Sequence, residues 1–398
     1  SSDLLGYLLA GIIIGPFLLG LVGEQKDVMH FAEFGVVLML FLVGLELRPA
    51  LLWQLKGPIL GTGGLQVLLT SVALTGVGYL LGLPWQQGLA IGLILALSST
   101  AIVLQSLQER KLMQSESGRS AFAVLLFQDI AVIPILAILP LLAIAPVASS
   151  GSSELAGWQH GLLVVAAIAG IVLGGHYLMR PVFRAIAQSH MREIFVAAAL
   201  LLVIAIAVLM ESVGLSPALG SFLAGVVLAD SEYRHELEAD IEPFKGLLLG
   251  LFFMSVGAGI DFSLFAAHPL LIPALVIGLM VLKWLVLMGL GFVIRLSPNQ
   301  RWTFALALAQ GGEFAFVLFS FAAQNKVLPG DTISLLTLVV ALSMALTPLL
   351  LILNDRVIQP WFDYRNQADQ PEHEQPELVE HPVIIAGFGR FGQIVGRL

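Results

Sequence analysis

Long apolar runs, separated by short polar stretches, cover almost the whole chain. Most runs approach or exceed the length that crosses a bilayer, so the pattern predicts a polytopic helical membrane protein. Twelve spans are predicted, near residues 4–22, 31–46, 58–82, 88–108, 118–145, 158–180, 193–210, 216–229, 243–258, 269–294, 302–324 and 332–354. Gly and Pro recur inside them, which bilayer helices tolerate when neighbours satisfy the freed backbone groups.

The pattern repeats. LGYLLAGIIIG at Leu5–Gly15 returns as LGSFLAGVVLA at Leu219–Ala229, offset by 214 residues. LMLFLVG, ending at Gly44, returns as LFFMSVG, ending at Gly257, offset by 213. The first and eighth spans therefore correspond. They lie an odd number of spans apart, so the two copies run in opposite directions. That is an inverted-topology repeat, the architecture of many secondary transporters. Six helices per copy plus one linking helix would leave the first copy one short. About one span is expected before Ser1, giving thirteen. The opening SSDLLGYLLAG has no initiator Met, basic region or cleavage site, and reads as an interrupted chain rather than a signal peptide.

Charge sets the orientation. Loops after the even-numbered spans, plus the tail, carry fourteen Lys and Arg; the opposite loops carry Lys26 and Lys326. The richer side, and the C-terminus, are expected in the cytoplasm. Composition fits: 58% of the 398 residues are hydrophobic and 12% charged. There is no cysteine, which excludes disulfides, thiolate chemistry and Cys metal sites. The net charge of −8 is concentrated in two hydrophilic segments. One is a predicted cytoplasmic loop, DSEYRHELEADIEPFK, at 230–245; the other is the tail of 355–381, read as a flexible acidic linker. A transmembrane domain of 1–354 precedes it.

Asp129 stands in the middle of GRSAFAVLLFQDIAVIPILAILPLLAIA. A carboxylate at that depth costs about 2.5–3.5 kcal/mol and is a functional-site hypothesis by default. Desolvation disfavours the charged form of a carboxylate, so such a group can hold a proton or a cation in competition. That competition is the minimum machinery of antiport; a simple structural pairing is the alternative. Gln128 adds a neutral amide where a second carboxylate would otherwise stand, which suggests electroneutral one-for-one exchange. Ser98, Ser99 and Thr100 lie in the middle of the fourth span. The repeat offset carries them onto Gly311, Gly312 and Glu313 in the eleventh. Hydroxyls and glycines at symmetry-related places suggest two interrupted helices that offer dipoles and free carbonyls to a cation; ordinary small-residue packing is the alternative. Lys283 and Glu313 are the other intramembrane charges. Lys283 is expected to balance Asp129 or Glu313, to form a structural ion pair, or to snorkel. GTGG at 61–64 reads as helix packing.

VIIAGFGRFGQIVGRL closes the chain. A strand, then Gly387, Gly389 and Gly392 in G-x-G-x-x-G with Arg390 between, then a helix start, is the opening of a dinucleotide-binding fold at 382–398. A single strand and helix cannot form a sheet, so this stub is expected to be poorly folded by itself. The eight His show no metal spacing. His235, Glu236, Glu238 and Asp240 belong to a segment read either as a solvated amphipathic loop or as a docking site for a regulatory domain.

LLGYLLAGIIIGP, HFAEFGVVLMLFLVGLEL, LALSSTAIVLQ, GRSAFAVLLFQDIAVIP, SEYRHELEADIEPFKGLLLGLFFMSVG, QGGEFAFVLFS and VIIAGFGRFGQ together resemble the Kef glutathione-gated potassium efflux systems of Gram-negative bacteria. These belong to the monovalent cation:proton antiporter superfamily. The resemblance implies a thirteen-helix homodimer in the bacterial inner membrane, with two crossing broken helices, exporting K+ against H+ entry. It implies that Asp129, beside Gln128, is the ion- and proton-binding carboxylate, and that Ser98, Ser99, Thr100, Gly311, Gly312 and Glu313 form the crossing. Lys283 matches a membrane lysine whose usual acidic partner is Gln128 here. His235 to Asp240 match the segment that contacts a Rossmann-type regulatory domain, which binds a nucleotide, NAD(H) or AMP, and glutathione. Glutathione holds such systems closed, and its electrophile adducts open them. A flavodoxin-like ancillary oxidoreductase is an implied partner; nucleic acid is not. With most of the regulatory domain absent from this sequence, transport without glutathione control is expected.

Three competing readings remain at this level. A Na+/H+ exchanger would share the fold. A ligand-gated K+ channel would be expected to show a carbonyl filter such as TVGYG, which the sequence lacks. A membrane-anchored nucleotide sensor would not need paired intramembrane charges. None of them is an enzyme.

Overall fold

Backbone amides and carbonyls find no water inside a bilayer, so apolar spans satisfy them internally as helices. The computed structural model bears this out for residues 2–16, 18–21, 25–46, 59–143, 166–167, 169–171, 173–174, 177, 192–212, 217–229, 231–260 and 263–360, which are the residues described here. The helices are α1 Ser2–Ile14, α2 Gln25–Glu46, α3 Gly64–Leu80, α4 Trp85–Ala96, α5 Thr100–Glu109, α6 Glu116–Ile138 and α7 Arg192–Ser212. They continue with α8 Pro217–Leu228, α9 Arg234–Ala258, α10 Ser263–Ala267, α11 Leu271–Val293, α12 Pro298–Ala307, α13 Phe314–Gln324 and α14 Gly330–Leu353. Among the described residues there is no strand. Among those residues, seven helical segments are long and apolar enough to cross a membrane, and shorter apolar helices lie at Phe34–Leu45, Leu219–Leu228 and Phe314–Gln324. Most of the predicted sixth span lies outside the described residues.

Ser1–Asn354 forms one compact unit and Asp355–Leu398 a second. Of the second, only residues 355–360 are described. Gly387, Gly389, Arg390 and Gly392 lie outside them, as does most of the acidic linker.

The repeat reappears in the packing. A Cβ on Gly11 of α1 would overlap the Met254 carbonyl of α9. Its counterpart, Gly225 of α8, would overlap the Phe41 carbonyl of α2, and Phe41 is the counterpart of Met254. Gly257 meets the Leu8 carbonyl as Gly44 meets that of Phe222, again paired by the repeat. Gly35 of α2 lies against Leu248 of α9, its own counterpart, where a Cβ would sit 2.5 Å from the carbonyl carbon. A residue that touches its own counterpart marks a pseudo-two-fold axis between α2 and α9. Glycine is needed at these places because the backbones approach within the radius of a methyl group.

The apolar core falls into three clusters. One surrounds the helix breaks, from α4, α6, α9, α11, α13 and α14. A second joins α2, α7, α8 and α9. A third packs α5, α6, α11 and α12. Phe253 of α9 stands edge-on to Phe316 of α13, with centroids 5.9 Å apart.

One predicted element changes. The loop of 230–245 is helical from Arg234 onward, as the first turns of α9. His235 and Glu236 are exposed while Leu237, Asp240 and Ile241 are buried, the spacing of a helix with one face on protein. The charge density and Pro243 concealed that periodicity. Pro243 lies inside the helix, where it removes one backbone hydrogen bond. His235 pairs with Glu238 at 3.7 Å, one turn on.

Candidate functional site: two broken helices

The predicted fourth and eleventh spans are both interrupted. The fourth is α4, then extended backbone at Leu97–Ser99, then α5. The eleventh is α12, then a non-helical stretch at 308–313, then α13. Ser99 caps α5, its hydroxyl accepting the Ile102 amide at 3.3 Å. At the crossing, a Cβ on Gly312 would lie 2.7 Å from both the carbonyl carbon and oxygen of Ser98. Only glycine permits that approach. Ser98 donates its hydroxyl to the Leu308 carbonyl at 2.8 Å, tying the two breaks together.

Broken helices leave four exposed dipole ends, each equivalent to about half a charge. The carbonyl end of α4 and the unwound stretch that follows α12 converge on Lys283 from α11. Its ammonium donates to the carbonyls of Leu95 (3.1 Å), Leu97 (2.8 Å) and Gln310 (2.6 Å), and to the Ser98 hydroxyl (3.0 Å). Lys283 is 0% exposed, so it does not snorkel. Neither Asp129 nor Glu313 is its partner; the carbonyl ends of the half-helices take that place. On the positive side, the Glu313 carboxyl lies at the Ser99 hydroxyl and at the amides of Thr100 and Ala101. It thus meets the amino end of α5 as well as standing at the start of α13.

Mate helices α6 and α14 brace the unwound amides. Gln128 Oε1 accepts the Ser98 amide at 2.8 Å. Ser343 Oγ accepts the Gly311 amide at 3.0 Å. Ser98 and Gly311 are counterparts in the repeat, so the device is used twice. Gln128, 1% exposed, also donates to Gln66 Oε1 at 2.7 Å and to the Ala96 carbonyl at 3.3 Å. Gln66 in turn donates to the Ala96 carbonyl and to Thr70, both at 3.1 Å. The GTGG segment lets this happen: Gly63 lies directly on the Phe127 side chain, bringing α6 against α3.

Asp129 differs from the other two charges. It is half-buried rather than sealed, and its Oδ1 accepts the Thr100 hydroxyl at 3.0 Å. Thr100 is half-buried too. The structure therefore brings Ser98, Ser99, Thr100, Gln128, Asp129, Lys283, Gly311, Gly312 and Glu313 to one place. His235, Glu236, Glu238 and Asp240 belong elsewhere, on α9. Gln66, Gln310 and Ser343 were missed by sequence reading. Gln66 and Ser343 show in the sequence only as lone polar side chains in apolar runs, and Gln310 only as the first residue of QGGEF. Chemically, the site is a half-buried carboxylate beside a crossing whose dipole ends already have partners.

The sodium/hydrogen exchanger transmembrane family matches residues 2–352. The "glutathione-regulated potassium-efflux system protein KefC" of Klebsiella pneumoniae is 52% identical over 398 residues. The protein of that name from Cronobacter sakazakii is also 52% identical, and one from Escherichia coli 51%. The alignment covers 100% of this chain and 63% of each relative, so the chain spans less than two thirds of their length. Among solved structures, the sodium proton antiporter MjNhaP1 of Methanocaldococcus jannaschii at pH 8 is similar, with TM-score 0.58 and 19% identity. That match covers 89% of this chain and 92% of the other. A second structure of the same antiporter has TM-score 0.53 and 16% identity, covering 92% and 91%. Both likenesses concern the fold.

Proposed function

This chain belongs to the sodium/hydrogen exchanger family, and we propose that within it the chain is the transmembrane part of a potassium/proton antiporter of the Kef type. The observation that carries the reading is the difference among the three intramembrane charges. Lys283 and Glu313 are buried against the half-helix ends, whereas Asp129 is half-buried and meets the Thr100 hydroxyl. Asp129 takes K+ on one side of the membrane, releases it on the other, and takes a proton for the return. One carboxylate exchanging one cation for one proton makes the cycle electroneutral.

In this proposal the neutral groups about Asp129 set its selectivity. Thr100 offers a hydroxyl oxygen, while Gln128 is spent on bracing Ser98 and Gln66. A site with one carboxylate and neutral oxygens exerts a weak field, which suits the more easily dehydrated K+. Transport proceeds by rocking one part of the repeat against the other around the crossing. The protein has about thirteen spans in a bacterial inner membrane, is a homodimer, and has its C-terminus in the cytoplasm. A nucleotide- and glutathione-binding domain, opening at Gly387, Gly389, Arg390 and Gly392, gates it through the first turns of α9. A flavodoxin-like oxidoreductase assists. The KefC name of the relatives supports potassium and glutathione.

The test is proton flux in liposomes holding the full-length protein, driven in turn by K+ and by Na+ gradients. K+ is expected to drive proton movement when electrophile adducts of glutathione are supplied. Proton movement with Na+ and none with K+ would overturn the substrate and leave the fold. K+ movement without protons would favour a ligand-gated channel.

A further inference from the structure

Leu97 and Gln310 are counterparts in the repeat, at the offset that pairs Gly44 with Gly257. They share one backbone duty, since both carbonyls accept from Lys283. Leu97 performs it with a buried apolar side chain. The break therefore does not require a polar side chain there. Gln310 nevertheless places a carboxamide in the interior, 0% exposed. Neither its Nε2 nor its Oε1 has a hydrogen-bond partner among the described residues. Three residues on, in the same interrupted stretch, Glu313 Oε2 is buried and likewise without a partner. Buried polar groups in native proteins are bonded to protein or to ordered water. An orphaned one costs about 1–3 kcal/mol.

We propose that the Gln310 carboxamide and Glu313 Oε2 line a binding site for internal water on the second repeat's side of the crossing. The ligand class follows from the atoms. Nε2 needs an acceptor, while Oε1 and the carboxyl oxygen need donors. Water supplies both at once. A cation would serve the oxygens alone and leave Nε2 orphaned. The water gives Glu313 the donor its second oxygen lacks, so the carboxyl can remain turned to the amino end of α5. The site stands whichever cation the protein carries.

The test is a density map of the full-length protein that resolves ordered water, for wild type and Gln310→Leu, with thermal melting of both. Leu is chosen because Leu97 already fills the equivalent place. Expected are water density within hydrogen-bond reach of both carboxamide atoms, its loss in Gln310→Leu, and a melting temperature unchanged or raised. A wild-type map with no water there overturns the proposal, as does one in which protein groups satisfy the carboxamide. Persistence of the same density in Gln310→Leu overturns it too. Should Gln310→Leu fail to fold, the wild-type map decides alone.

Discussion

Lys283, Glu313 and Asp129 meet at one crossing, and their surroundings divide the work. Lys283 has four oxygen partners and no exposure. Replacing it by an apolar side chain leaves buried oxygen atoms without their donor, at about 1–3 kcal/mol for each one orphaned. Lys283→Met is therefore expected to lower the melting temperature sharply, with transport lost only as the fold is lost. A stable Lys283→Met protein that binds cations abnormally would instead make Lys283 part of the ion site. The three charges were legible because charge inside an apolar span is costly. The partner of Lys283 was not, since half-helix carbonyls leave no mark in a list of side chains. Gln66 and Ser343 also escaped notice, because lone neutral polar residues are common in bilayer helices.

At the scale of elements, the breaks themselves were readable. SST and GGE sit at one offset in mate spans, and the interruptions fall at 97–99 and 308–313. Gly312 is the tightest point between them. Gly312→Ala would force Cβ into the Ser98 backbone, which cannot give way as a side chain tip can. A drop in thermal stability of about 1–3 kcal/mol is expected, the range for overpacking. Gly278→Ala, in α11 with nothing within 4 Å of the new methyl, is the control. It is expected to be neutral or to stabilise by up to about 1 kcal/mol through helix propensity. Equal melting of the two variants would contradict the close crossing. The first turns of α9 were misread as a loop because Glu, Asp and Pro243 obscured a helical stripe of Leu237, Asp240 and Ile241.

Across the whole molecule, the inverted repeat organises the packing of α1, α2, α8 and α9. It was visible in the sequence as two motifs at nearly one offset, and the packing returns it as matched glycine contacts. Gly11 on Met254 and Gly225 on Phe41 are the same contact made twice. Gly11→Ala and Gly225→Ala should therefore destabilise by similar amounts. The double variant should lose about their sum, to within roughly 0.5 kcal/mol, as for independent sites. A large effect at one site and none at the other, in melting of the purified protein, would break the symmetry argument.

The central claim is that Asp129 is the carboxylate at which cation and proton compete. The measurement that tests it most directly compares wild type with Asp129→Asn in liposomes, recording K+-driven proton flux. Asn keeps the shape and an oxygen for the Thr100 hydroxyl, so the fold should survive, which melting of the same sample checks. The account predicts that Asp129→Asn abolishes coupled proton movement. Undiminished K+-driven proton flux in a well-folded Asp129→Asn protein would contradict it.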